Sequence, residues 1–469
     1  MIQLEKVTFS YNGDGLPVIH DLSLSVDKGE CVVITGKSGC GKTTITRLIN
    51  GLATHFYNGS LSGRVIINGV DQRDFPFWSI GRRVGAVLQD PSSQFFAEKA
   101  ADEIAFGCEN YGMPRHEMMK RISIAAEKSS SSQLLDKSLF HLSSGQQQCL
   151  AIASIYAVNP DVYVFDEPSA NLDSAAVERL SQLISVLKNE GKTIIIAEHR
   201  LFYLTHLADR ILYMENGQLT RHFSSAELRA AEPAKLEQLG LRFARLPRIR
   251  VSEEIQEKET VITIDRLNFS YKNVPVIHDF CLQIGKGEII ALRGPNGAGK
   301  TTLAKLVCGL LKQKTGNIWF RNRMNDRNQR RKQIFFVMQH TDSQLFAESA
   351  LEEVRLNAKK PEKAESILAS YGLAPFKASH PSTLSGGQKQ RLLLAVAESM
   401  DSSILILDEP TSGLDGETMR LLAERLRVLA ARGKAILVIS HDQEFIASTC
   451  TRIIHMEQGK KITDKAIIR

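Results

Sequence analysis

The sequence predicts an α/β fold with a largely parallel sheet, built twice in tandem, and three observations predict it. Residues 267–277 (LNFSYKNVPVI) echo residues 7–19 (VTFSYNGDGLPVI), and the echo continues along the chain. In each copy short β-branched runs alternate with helical patterns, the signature of strand–helix–strand units. In each copy, too, an apolar run ends in a glycine-rich turn that opens an amphipathic stretch, at Lys42 and again at Lys300.

The duplication keeps its register closely. Lys42 and Lys300 are 258 residues apart, Gln89 and Gln339 are 250 apart, and Asp166 and Asp408 are 242 apart, so the second copy is shorter by 8 residues in each interval. Copies of more than 200 residues are too long for solenoid repeats and are read as duplicated domains. The expected boundaries are residues 1–223, a polar linker over 224–258 that contains Pro233 and Pro247 and is partly helical at best, and residues 259–469.

Composition narrows the class. Of 469 residues, 43% are hydrophobic and 24% charged, which suits two globular domains with substantial cores and excludes a disordered chain. The longest apolar runs fall well short of the ~18 residues that a membrane-spanning helix needs. The start of the chain lacks the basic, apolar and small-residue pattern of a secretory signal. Seven cysteines without a C-x-x-C pair argue against a disulfide framework or a zinc site. The expectation is a cytoplasmic protein. A net charge of +7 permits contact with nucleic acid or anionic lipid without requiring either.

The chemistry lies in two loops and two acidic pairs. Gly36-Lys-Ser-Gly-Cys-Gly-Lys-Thr43 and Gly294-Pro-Asn-Gly-Ala-Gly-Lys-Thr301 both fit G-x-x-x-x-G-K-[ST], each after an apolar strand and before a helix. Such glycines let backbone N–H groups curl around phosphate oxygens, and the helix N-terminus adds a favourable dipole. The expected ATP-binding residues are therefore Gly36, Ser38, Gly39, Gly41, Lys42, Thr43 and Thr44, with Gly294, Asn296, Gly297, Gly299, Lys300, Thr301 and Thr302 in the second copy. Lys42 and Lys300 reach the β- and γ-phosphates, and Thr43 and Thr301 ligate Mg²⁺. Further on, the runs ending in Asp166-Glu167 and Asp408-Glu409 each place two carboxylates at the end of a buried strand, which is costly unless metal or substrate engages them. The first acid of each pair is expected to hold Mg²⁺ and the second to act as general base toward the attacking water.

These residues resemble the nucleotide-binding subunits of ATP-binding cassette (ABC) transporters, over nearly the whole chain except the linker. The family's signature peptide stands as Leu384-Ser-Gly-Gly-Gln388-Lys-Gln-Arg391 in the second copy and as Leu142-Ser-Ser-Gly-Gln146-Gln-Gln-Cys149 in the first. The resemblance implies two P-loop ATPase cassettes, each with a mostly parallel sheet, an antiparallel β portion and a helical subdomain. It also implies that the cassettes pair head to tail within one chain. One site would then combine Lys42, Thr43, Gln89, Asp166, Glu167 and His199 with Ser385, Gly387 and Gln388, and the other Lys300, Thr301, Gln339, Asp408, Glu409 and His441 with Ser143, Gly145 and Gln146. Gln89 and Gln339 would add to the Mg²⁺ shell, and His199 and His441 would contact the γ-phosphate. Tyr11 and Tyr271 match the family's adenine-stacking aromatic. Ser144 and Cys149 depart from the signature, and the expectation is a slower site where the first signature is used.

After Gln89 and Gln339, the run Q-x₄-Q-[FL]-F-A-E (Gln94 to Glu98; Gln344 to Glu348) looks like the energy-coupling factor importers of vitamins and transition-metal ions. That resemblance implies an integral membrane coupling subunit and a substrate-binding membrane subunit as partners, no nucleic acid, and a peripheral location on the cytoplasmic face of the membrane. Phe95-Phe96 reads as an exposed aromatic pair suited to a partner helix. Other classes fit less well. A tandem-cassette translation factor carries a long charged helical linker, a DNA-repair cassette carries zinc-binding cysteines, and a fused sugar-importer ATPase usually has an eroded second phosphate loop.

Overall fold

Runs of five residues buried on both faces form the centre of each domain: Val162–Asp166 and Thr193–Ala197 in the first copy, Ile404–Asp408 and Ala435–Ile439 in the second. A run with no polar face suits a parallel strand covered on both sides. A computed structural model describes all residues except 12–14, 58, 322, 325, 326, 357 and 469. It divides the chain into two compact units, one built mainly on residues 1–245 and the other mainly on 246–469.

In the first unit the central sheet runs Gln218–Phe223, Arg210–Glu215, Cys31–Gly36, Thr193–Ala197, Val162–Asp166, Val84–Val87, parallel except for the hairpin at its first edge. Alternate side chains divide between two cores. Val32, Ile34, Val162, Val164 and Ile195 pack toward a four-stranded antiparallel sheet (Ile2–Ser10, Ile19–Val26, Ser60–Ile67, Val70–Asp71) and the helix Lys42–Ile49. Cys31, Val33, Tyr163, Phe165, Ile194 and Ile196 pack against the helix Ser174–Asn189. A third core gathers Ala100–Asn110, Arg115–Lys128 and Ser144–Val158 into a helical subdomain.

The second unit repeats this plan. Its sheet runs Arg250–Ser252, Lys460–Ile468, Arg452–Glu457, Ile289–Arg293, Ala435–Ile439, Ile404–Asp408, Ile334–Val337, beside an antiparallel sheet that includes Thr260–Tyr271 and Val274–Gly285. Ala350–Arg355, Ala364–Ser370 and Gly386–Ser399 form its helical part.

The stretch 224–258, expected to be a linker, is shared between the units. Short helices Ser225–Ala230 and Pro233–Gln238 place Leu228 and Leu236 in the first unit's core, where Leu239, Leu241 and Ala244 join them. Arg250–Ser252 adds an edge strand to the second unit's sheet. Among the described residues no helix is long and apolar enough to cross a membrane.

Candidate functional site

The two phosphate loops follow Cys31–Gly36 and Ile289–Arg293, each at the C-terminal end of a central strand, the end of an open α/β sheet at which ligands usually bind. The helices Lys42–Ile49 and Lys300–Val307 begin directly after glycines held at positive φ, Gly41 at 107° and Gly299 at 95°. Not every glycine serves the phosphate. A Cβ on Gly36 would lie 2.1 Å from the Met214 carbonyl oxygen, and one on Gly294 1.9 Å from that of Met456, so these two permit packing on the neighbouring strand. Gly39 and Gly297, at φ +79° and +83°, face open space, as a loop that receives a ligand requires.

Lys42 is buried and its Nζ donates to the carbonyl oxygens of Gly36 at 3.1 Å and Lys37 at 3.0 Å. Lys300 does the same, with Gly294 at 2.6 Å and Pro295 at 2.9 Å. The ammonium thus braces the curled loop and stays within it. Thr43 Oγ1 donates to Asp166 at 3.0 Å and Thr301 Oγ1 to Asp408 at 2.7 Å, which brings hydroxyl and carboxylate together as oxygen donors for a hard cation. Burial, with Glu167 alongside, pushes the Asp166 carboxyl up to about 6, and burial raises Asp408 as well. Buried carboxyls held above their ordinary ionisation range suit a site completed by a positive ion.

Glu167 and Glu409 each sit in the left-handed region, at φ 46° and 48°. Their backbone N–H groups donate to the ends of the adjacent strands, Ala197 at 2.8 Å and Ile439 at 2.9 Å. His199 Nε2 lies 3.4 Å from Glu167 Oε1, and His441 Nε2 3.6 Å from Glu409 Oε1. Gln89 Nε2 donates to Glu167 at 3.0 Å, and Gln89 and Gln339 both lie exposed after their strands. Burial would raise the Glu167 carboxyl, but His199 and Lys42 outweigh it and hold the group below its usual range. In each unit, then, lysine, threonine, two carboxylates and histidine converge from separate strand ends.

The signature residues act on another element. Ser143 and Gln146 form a capping box at the start of Ser144–Val158, and Ser385 and Gln388 do so for Gly386–Ser399. Ser144 turns its hydroxyl to the Asn171 carbonyl at 3.2 Å, while a Cβ on the matching Gly386 would meet nothing. Burial raises the Cys149 thiol, which has Arg179 beside it. Tyr11 is half-buried, its hydroxyl 3.1 Å from both Thr44 and Arg47 and its ring edge-on to Phe9 and Tyr57. Tyr271 is 45% exposed and packs edge-on to Phe269 alone among the described rings.

The expected exposed pair Phe95-Phe96 needs correction. Phe96 is 73% exposed and stacks on Phe106, but Phe95 is half-buried between two cores, because successive residues in this extended turn point to opposite sides. Two acids that the motifs passed over hold this turn. Buried Glu103 accepts from the N–H groups of Phe96 and Ala97 at 2.8 and 2.9 Å, and Glu353 from Phe346 and Ala347, both at 2.7 Å. Gln94 and Gln344 accept from Leu88 and Met338 at 3.0 and 2.7 Å. Each acid stands 14 residues after its copy's Gln89 or Gln339, a matched spacing that marks the pair without showing what its carboxylates hold.

Residues 19–170 and 277–412 match the ABC transporter family. A Treponema denticola protein provisionally named as an ABC transporter ATP-binding protein is 40% identical over 99% of this chain and 97% of its own. A Bacillus subtilis protein provisionally named as an HMP/thiamine import ATP-binding protein is 30% identical over 97% of this chain and 89% of its own. A solved chain from ribosome-bound archaeal Pelota and ABCE1 covers 99% of this chain and 79% of its own at TM-score 0.68, with 21% identity, a likeness of fold alone. Family matches that fall on both units and enclose both phosphate loops carry the chain into the ABC transporter family, as one of its ATP-binding, ATP-hydrolysing proteins.

Proposed function

We propose that the chain is the energy-coupling ATPase of an importer of the energy-coupling factor type, working on the cytoplasmic face of a membrane with separate integral membrane subunits. The observation that carries this reading is the duplicated turn after Gln89 and Gln339. In both units a buried glutamate fixes the backbone so that one phenylalanine stands out into solvent, Phe96 at 73% and Phe346 at 76% exposure. A rigidly held, exposed aromatic beside the nucleotide site suits the apolar face of a partner helix. The thiamine-related name of the Bacillus subtilis relative supports a vitamin or its precursor as cargo, with a transition-metal ion as the other member of that class.

Each unit's residues take definite parts in hydrolysis. Lys42 and Lys300 brace the loops and face the phosphates. Thr43 with Asp166, and Thr301 with Asp408, would hold Mg²⁺, joined by Gln89 and Gln339. When bound, the cation neutralises phosphate charge and orients the γ-phosphate. Glu167 and Glu409 take a proton from the attacking water, with His199 and His441 beside them to contact the γ-phosphate. Ser143, Gly145 and Gln146, like Ser385, Gly387 and Gln388, present helix N-termini suited to phosphate oxygens. Tyr11 and Tyr271 offer rings to adenine.

The reading is tested by isolating the chain from gently solubilised membranes and identifying what accompanies it. Small integral membrane proteins are expected, and they should be lost from the double variant Phe96→Asp, Phe346→Asp while ATP turnover persists. Ribosomal proteins in their place would overturn the importer reading.

A further inference from the structure

The turn that carries the histidine is built differently in the two units. In the second it reads Ser440-His441-Asp442, and Asp442 caps the helix Gln443–Thr449 by accepting from Phe445 N–H at 3.1 Å. Ser440 Oγ accepts from Asp442 N–H at 3.1 Å, and Phe445 is fully buried. In the first unit the matching residues are Glu198, His199, Arg200 and Tyr203, and turns replace the helix. The cap that steadies His441 therefore has no counterpart beside His199.

Glu198 fills that place. It is 2% exposed and accepts from the backbone N–H of His199 at 2.7 Å, Arg200 at 3.0 Å and Ser169 at 3.3 Å, and from the Tyr203 hydroxyl at 2.7 Å. A buried carboxylate is costly unless several donors replace its water, and this one has them. Burial, with Glu198 nearby, holds the Tyr203 phenol far above its usual range, so it stays a donor. Ser169 lies two residues past Glu167, and the Arg200 guanidinium donates to the Ser169 carbonyl at 3.4 Å as a second tie between the same loops. The three differences from the second unit thus form one set: a carboxylate moved two positions back, a cation in the vacated place, and a hydroxyl added to the buried ring.

We infer that Glu198 is a positioning residue for ATP hydrolysis in the first unit, clamping the loop after Glu167 to the turn that carries His199. The inference rests on the roles proposed for Glu167 and His199. It separates from them because Glu198 is buried and its carboxylate oxygens are engaged by protein donors, so its effect on turnover passes through the backbone it holds.

The test uses the full chain with Glu409→Gln, whose turnover is that of the first unit's phosphate loop, and compares kcat and KM for ATP. Adding Glu198→Ser is expected to lower kcat about tenfold with KM within about twofold, because nucleotide contacts remain while the general base and histidine lose their spacing. Adding Arg200→Asp and Tyr203→Phe as well, which imports the second unit's set, is expected to restore kcat to within about threefold. An unchanged kcat in Glu198→Ser, or a well-folded triple variant no faster than the single one, would overturn the inference. If Glu198→Ser folds poorly, the triple variant alone decides by the same threshold. A wild-type chain that turns over no ATP would refute the function itself instead.

Discussion

Replacing Asp166 with asparagine should stabilise the nucleotide-free protein while abolishing its turnover. The Asp166 carboxyl is 7% exposed and pushed up to about 6 from an ordinary 3.8. The native state therefore binds more protons than the unfolded state between those two values, so stability falls as pH rises through that window, and the whole penalty is present above it. A shift of about two units at ~1.4 kcal/mol each amounts to ~3 kcal/mol. Asparagine removes that charge and keeps an oxygen for Thr43, but leaves a buried amide N–H₂ that costs ~1–2 kcal/mol. A net gain of ~1–2 kcal/mol remains, about 3–6 °C in the melting temperature of a unit this size. Thermal unfolding in chelator without nucleotide, at pH 8 and at pH 5, reads it out: a clear gain at pH 8 that all but disappears at pH 5, where about half of the charge penalty has gone while the cost of the buried amide remains. A variant less stable than wild type at pH 8, or a difference independent of pH, would refute the reasoning.

Three further expectations follow from the geometry. Leu236→Ala, within the stretch 224–258, removes a side chain that is 3% exposed in the first unit's core and should destabilise by about 2–4 kcal/mol in denaturant titrations, whereas a true linker residue would move stability by less than about 0.5. Phe346→Ala should leave unfolding within about 0.5 kcal/mol of wild type and Phe96→Ala within about 1.5, the difference being the stack of Phe96 on Phe106, yet both should weaken association with membrane subunits at least tenfold in a binding titration. Glu167→Gln and Glu409→Gln should lower ATP turnover unequally, because the copies differ at Ser144, Cys149 and Glu198; steady-state rates that fall equally would remove the asymmetry.

The phosphate loops were legible because their chemistry is contiguous: a curled backbone, a lysine and a hydroxyl must come from adjacent residues, so spacing alone encodes the site. The acidic pairs were legible because a fully buried run ending in two carboxylates is hard to explain otherwise. Glu103, Glu353 and Glu198 were not. A single acid reads as a solvated side chain, and only the fold shows that N–H groups six and seven residues before Glu103 and Glu353 meet on those carboxylates, and that the Ser169 N–H, 29 residues away, meets on Glu198. The helices at 225–230 and 233–238 hid for a similar reason, each burying one leucine amid charged residues, too little periodicity to distinguish from a polar connection. Phe95 and Phe96 were separable only by extended geometry, which sends neighbours to opposite faces.

The two general-base candidates show which features the duplication has preserved and which it has released. Glu167 and Glu409 both lie at positive φ, where a residue with a long side chain carries strain of about 1–2 kcal/mol, and both donate their N–H to the end of the next strand. A conformation that disfavours the folded state and yet occurs at both matched positions is a requirement of the site, since a glycine or asparagine there would relieve it. The histidine turns, by contrast, reach one arrangement by two routes, a helix cap after His441 and the Glu198 clamp around His199. The imidazole stands 3.6 Å and 3.4 Å from its glutamate in the two units although the surrounding residues share little. What both copies hold constant is thus the spacing of carboxylate and imidazole, and the scaffold behind that spacing is where the copies have been free to diverge.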